Sequence, residues 1–214
     1  MNKYSFKKYQ PLQLRAWHWL NALVIVSLLL TVLLRKTLLS WRTNSALIQE
    51  KLTNAGTTIT PELAKEIAVS IRNPLWDWHI YLGYALSALL LGRLLVALFV
   101  EKNSFNLQPL KNILSASSLP ESEKKEAIHF SLVKIGYAVF YMATLLMVAT
   151  GLLLVFKGSL NLSKPLSEAF KEIHEVMMWF FVVFIAGHVA GVVLAENGKD
   201  RGLISDMVNG GDSK

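Results

Sequence analysis

The chain has 214 residues, 53% of them apolar, and a formal charge of +7. That apolar share excludes an ordinary soluble domain and predicts a small all-α integral membrane protein. With no Cys, disulfides, iron–sulfur clusters and thioether-attached haem are excluded, and with basic residues between apolar runs rather than in a patch interleaved with aromatics, so is a nucleic-acid partner.

In chain order, Lys3, Lys7 and Lys8 precede a first span over about 16–34. That run is too long for a signal-peptide core, and Arg35-Lys36 follows it where a cleavage site would need small residues, so it is expected to stay as an uncleaved span. Trp17 and Trp19 flank His18 at its start, as in an aromatic belt. Residues 35–74 form a long polar connection, with a short helix over Ser45–Leu52. Thr60-Pro61-Glu62 is a helix start, combining an N-cap, Pro at N1 and an acid in the first turn. That helix runs to about Arg72, with Leu63, Ile67 and Ile71 on one side, and is amphipathic enough to cap the membrane surface or dock a partner. Asn73-Pro74 ends it. Span 2 covers about 75–100 and opens on Trp76 and Trp78 beside His79. Residues 101–126 are polar, with Pro109, Pro120 and a Lys/Glu-rich helix start at Ser122–Glu126. Span 3 covers about 128–156, a loop covers 157–170, and span 4 covers about 173–195. The Gly-rich, charged tail 196–214 is expected to be mobile. The fold class is therefore a four-helix transmembrane bundle, up-down-up-down, with a short extramembrane helical connection between spans 1 and 2. Four spans place both termini on one side, and a slight excess of Lys and Arg there favours cytoplasmic termini.

The histidines carry the chemistry. His174 and His188 lie fourteen residues apart in one span, two heptads of a left-handed bundle, so both rings share a face about 21 Å apart along the axis. In a hydrocarbon core about 30 Å thick, one ring then sits near each side. His18 lies at the terminal side and His79 at the other, so antiparallel packing pairs His18 with His188 and His79 with His174. Two facing imidazoles at one level are what a six-coordinate haem iron needs. Gly83 lies one turn after His79, and Gly187 and Gly191 lie beside His188, where small residues admit a porphyrin. Arg15 shares a face with His18 and would meet an anionic propionate, with Arg72 and Arg93 as further candidates.

Blander roles exist for each residue alone. His18 suits an interfacial belt, the glycines suit close helix packing, and Arg93 and Lys134 suit snorkelling. His129 has no histidine at its level and is expected to lie among headgroups. Ionisable residues inside spans are costly and functional by default, which favours His188 as a ligand. A zinc site would need three or four ligands at one level, and a proton relay would need buried acids that the span centres lack.

This pattern resembles the bacterial di-haem membrane cytochrome b family, which includes bacterial cytochrome b-561, the cytochrome b subunit of nickel–iron hydrogenases and the gamma subunit of formate dehydrogenase. The resemblance rests on Arg15-Ala-Trp-His18-Trp, on His79 at the head of span 2, and on His174 with Gly187-His188 in span 4, and it covers residues 10–196. It implies two haems b, with His18 and His188 on the cytoplasmic one and His79 and His174 on the periplasmic one. It further implies a bacterial inner-membrane location, a quinone near the cytoplasmic haem, and a periplasmic redox protein or a dehydrogenase or hydrogenase subunit as partner. The connection 35–74 is longer than in compact members and is the expected docking side; self-association is compatible with all of this. Two other readings stand beside the electron-transfer subunit. One is a stand-alone superoxide- or small-acceptor:quinone oxidoreductase, with Arg35, Lys36 and Arg72 steering an anion. The other is a non-redox membrane scaffold.

Overall fold

A computed structural model describes residues 10–99, 120–198 and 201–210. The stretch around Pro109 and the lysines at 3, 7 and 8 lie outside the described residues. Seven helices run in the order α1 (Leu12–Lys36), α2 (Trp41–Asn54), α3 (Pro61–Arg72), α4 (Pro74–Phe99), α5 (Glu121–Val155), α6 (Lys164–Glu196) and α7 (Leu203–Asn209), with no strand among the described residues. Among the described residues, four stretches are long and apolar enough to cross a membrane: Leu12–Lys36, Pro61–Phe99, Ala127–Val155 and Lys164–Glu196. The protein is an all-α, multi-pass membrane protein, and its surroundings are a lipid bilayer.

Burial is arranged for lipid rather than water. Leu23, Leu33, Leu91, Met142, Val183 and Leu194 are exposed, while Asn21, Thr31, Ser131, Thr144 and Thr150 are buried. In a bilayer no hydrophobic force drives apolar side chains inward, so small and polar residues take the packed positions instead.

The chain divides into two compact units, residues 20–88 and a second made of residues up to Trp19 with those from Leu89 onward. In the first, α2 packs on α3. The start of α3 follows its sequence signals: Thr60 accepts a hydrogen bond from the Leu63 amide at 3.3 Å, and Pro61 occupies the first turn. Its packed face is Ala64 and Ala68, both fully buried, while Leu63, Ile67 and Ile71 are exposed. Small residues let α2 approach, which leaves the larger apolar stripe outward. Asn73 keeps right-handed helical angles although a residue before proline disfavours them. The chain therefore passes from α3 to α4 through this one residue, and Asn73-Pro74 marks a junction between helices rather than a loop.

In the second unit α5 packs on α6, and α6 on α7. The Lys/Glu-rich start before span 3 belongs to the same continuous helix as the span, α5. The loop before span 4 is shorter than hydropathy suggests. It ends at Ser163, whose extended backbone is followed by Pro165 in the first turn of α6. Ser167, Glu168, Lys171 and Glu172 mask this helical turn from a hydropathy reading, so His174 lies inside a helix already under way. The tail holds α7, which composition did not indicate. The Glu196 carboxylate accepts from the amides of Gly202 at 2.9 Å and Ile204 at 3.2 Å, capping its start. At its other end Arg15 donates to the Val208 carbonyl and Trp19 Nε1 to the Met207 carbonyl at 3.0 Å. Gly210 closes the helix with φ +104°, and a Cβ there would stand 3.3 Å from the Arg15 guanidinium carbon.

Candidate haem sites

His18 projects from α1 and His188 from α6, and their ring centroids are 6.2 Å apart with planes tilted by 57°. A metal held by both would lie about 2 Å from each nitrogen, and with the two half-rings this spans about 6 Å between centroids. The observed spacing therefore suits one iron between the rings. Trp19 meets His18 edge-on at 5.3 Å, and Phe184 stacks on His188 at 6.3 Å. Behind Phe184 an aromatic wall follows: Phe140 at 5.1 Å, Phe180 at 5.8 Å, and Phe181, which is almost fully buried. Sequence reasoning missed this wall because aromatics in a span look like any other apolar residues. Nearby, Trp17 donates to the Leu89 carbonyl at 3.1 Å and packs on Tyr141 at 5.8 Å. Arg93 Nε donates to the Tyr141 hydroxyl at 3.2 Å, a specific contact where snorkelling alone was one reading. Lys134 lies over the Phe130 and Tyr137 rings, and His129 is exposed on α5.

In the unit spanning residues 20–88, His79 stacks on Trp76 at 5.2 Å with the planes 5° apart, and its Nδ1 lies 2.8 Å from the Thr31 hydroxyl. Arg35 extends over the Trp76 ring at 5.1 Å and donates to the Arg72 carbonyl at 3.0 Å, so two guanidinium-bearing residues gather beside the aromatic that supports His79. His174 is held within the other unit: its Nδ1 lies 3.0 Å from the Thr150 hydroxyl, and Gly151 lies against its Cε1. Thr31, Thr150 and Gly151 carry no sequence motif, and only their placement singles them out.

Three observations test whether these residues fit a haem. A Cβ added at Gly83, Gly187 or Gly191 would meet nothing within 4 Å, as is also true at Gly92, Gly136 and Gly158, so the helix surface beside His79 and His188 is open to a bound group. Nε of Arg15 and Nε of Arg72 are buried with no hydrogen-bond partner among the described residues. Buried donors are nearly always satisfied, so an anionic group at each place would complete them. Among the described residues no three His, Cys, Asp or Glu side chains converge on one point.

Four apolar helical stretches, one facing pair of imidazoles and two buried arginine Nε groups suit a multi-pass membrane cytochrome of the b type. The family model for prokaryotic cytochrome b561 matches residues 9–210, and the chain belongs to that family. No curated protein and no solved structure matched the chain. Membership makes the protein a haem-b-binding electron-transfer protein of the membrane.

Proposed function

We propose that the chain holds two haems b and passes electrons across the inner membrane between a periplasmic redox partner and quinone. His18 and His188 ligate one haem, and His79 and His174 each supply a ligand to the second. Bound haem supplies a centre that takes up and releases one electron at a time. The chain's own residues present imidazoles at fixed positions, exclude water with the aromatic wall beside His188, and offer Arg15 and Arg72 to the propionates. The observation that carries the reading is the 6.2 Å spacing of His18 and His188 on separate helices. For the second haem the support is the histidine pattern together with the hydroxyl held against each of His79 and His174. Cytoplasmic termini, and docking of the periplasmic partner on the 35–74 side, follow from the charge balance and from that long connection. The test is a haem count and a reduced-minus-oxidised spectrum of the purified chain. Two haems per chain with bis-histidine b-type spectra are expected, one lost in His188→Ala and the other in His79→Ala. A single haem, or two haems retained in His188→Ala, would overturn it.

A further inference from the structure

Two threonines stand in the same relation to two histidines, once in each unit. Thr31 Oγ1 donates to the Leu28 carbonyl at 2.7 Å and lies 2.8 Å from His79 Nδ1. Thr150 Oγ1 donates to the Leu146 carbonyl at 2.8 Å and lies 3.0 Å from His174 Nδ1. Both threonines are buried, at 7% and 2% exposure. A threonine hydroxyl has one proton and two lone pairs. Keeping that proton on a carbonyl of its own helix while Nδ1–H donates to the oxygen makes two hydrogen bonds, whereas turning it to Nδ1 makes one, so the arrangement with more bonds puts the proton of the Thr–His contact on Nδ1. A neutral imidazole protonated at Nδ1 has its lone pair at Nε2, the tautomer that ligates a metal through Nε2.

We propose that Thr31 and Thr150 are positioning residues that lock His79 and His174 as Nδ1–H tautomers and set the potential of the haem they ligate. The proposal rests on the assignment of His79 and His174 as haem ligands. An acceptor on Nδ1–H makes the imidazole a stronger donor, which favours ferric over ferrous iron and lowers the potential. His18 and His188 have no corresponding threonine contact among the hydrogen bonds described, so the two haems are tuned separately.

The experiment uses the full-length protein with haem bound and follows both midpoints by redox titration of the α-band. Thr31→Val and Thr150→Val keep the side-chain volume and remove the hydroxyl, although the Met147 carbonyl still meets the His174 ring. Both are expected to raise the same one of the two midpoints and leave the other unchanged, Thr31→Val by about 59 mV if the ferric preference falls about tenfold and Thr150→Val by less. Thr31→Ser and Thr150→Ser restore the hydroxyl and are expected to return the midpoint to the wild-type value, an outcome a purely structural role would not give. His79→Ala and His174→Ala are measured alongside. If each loses the same haem but the valine variants leave its midpoint in place or lower it, the threonine proposal is wrong and the ligand assignment stands. If His79→Ala keeps both haems, the ligand assignment is wrong and the proposal goes with it. A valine variant without haem whose serine counterpart retains it with a wild-type midpoint supports the hydroxyl's role, and loss of haem in both overturns it.

Discussion

Gly151 offers a test in which stability and site geometry move apart. In Gly151→Ala the new methyl would stand 3.2 Å from His174 Cε1 and 3.7 Å from Nδ1. The first distance is a few tenths of an ångström tighter than an ordinary contact, so the imidazole must give way. It is also held by Thr150 at 3.0 Å, and retreat stretches that bond. Weakening one hydrogen bond costs about 0.5–1.5 kcal/mol. Replacing Gly by Ala in a helix interior stabilises by about 1 kcal/mol. These terms nearly cancel, so the melting temperature in detergent should stay close to wild type. The position of the His174 ring does not cancel, and ligands displaced by their supporting groups typically lose metal affinity about 10- to 100-fold. Circular dichroism melts and haem-to-protein ratios, measured on the same preparations, separate the two effects. Gly136→Ala is the control, since a Cβ there meets nothing within 4 Å. The expected result is a folded protein with one haem weakened and the His18–His188 haem intact. An α-band and haem content identical to wild type, or equal weakening of both haems, would refute the reasoning.

Other outcomes follow from the same contacts. Gly187→Leu should lower retention of the His18–His188 haem while Gly136→Leu leaves haem content unchanged, because only the first fills room beside a ligand; haem-to-protein ratios decide it. Arg15→Met and Trp19→Phe each remove a donor to the last turn of α7. Both should speed proteolytic cleavage within 197–210, and the double variant should speed it further. Thr60→Ala removes the cap of α3 and should cost about 0.5–2 kcal/mol, read as faster amide exchange over residues 62–65. Phe181→Ala opens space against Phe140 and Phe180 and should lower the melting temperature, with a cost of up to about 3–5 kcal/mol.

Much of the candidate site was legible along the chain. The fourteen-residue spacing of His174 and His188, the glycines near His79 and His188, and Arg15 one turn from His18 are relations within single helices, and helical periodicity fixes these without reference to neighbours. Thr31 and Thr150 were silent for a physical reason. Each hydroxyl satisfies itself on its own helix backbone, so a lone threonine in an apolar run adds little cost and leaves no mark on hydropathy. Gly151 was silent likewise, since a glycine in a span reads as packing until an imidazole is found against it. The early start of α6 was written in Ser163 and Pro165 but hidden by the polar residues between them and the span.

By itself, the sequence determined the membrane class, the apolar spans, the helix start at Thr60 and the order of histidines along their helices, because length, hydropathy and capping act locally. Only the tertiary structure decided that His18 and His188 face each other, that two threonines hold His79 and His174, and that Arg15, Trp19 and Glu196 secure a helix in the tail. Those contacts depend on how each helix is rotated about its axis and on what lies beside it. In a bilayer, where apolar surface alone does not dictate which face turns inward, close packing and hydrogen bonds make that choice.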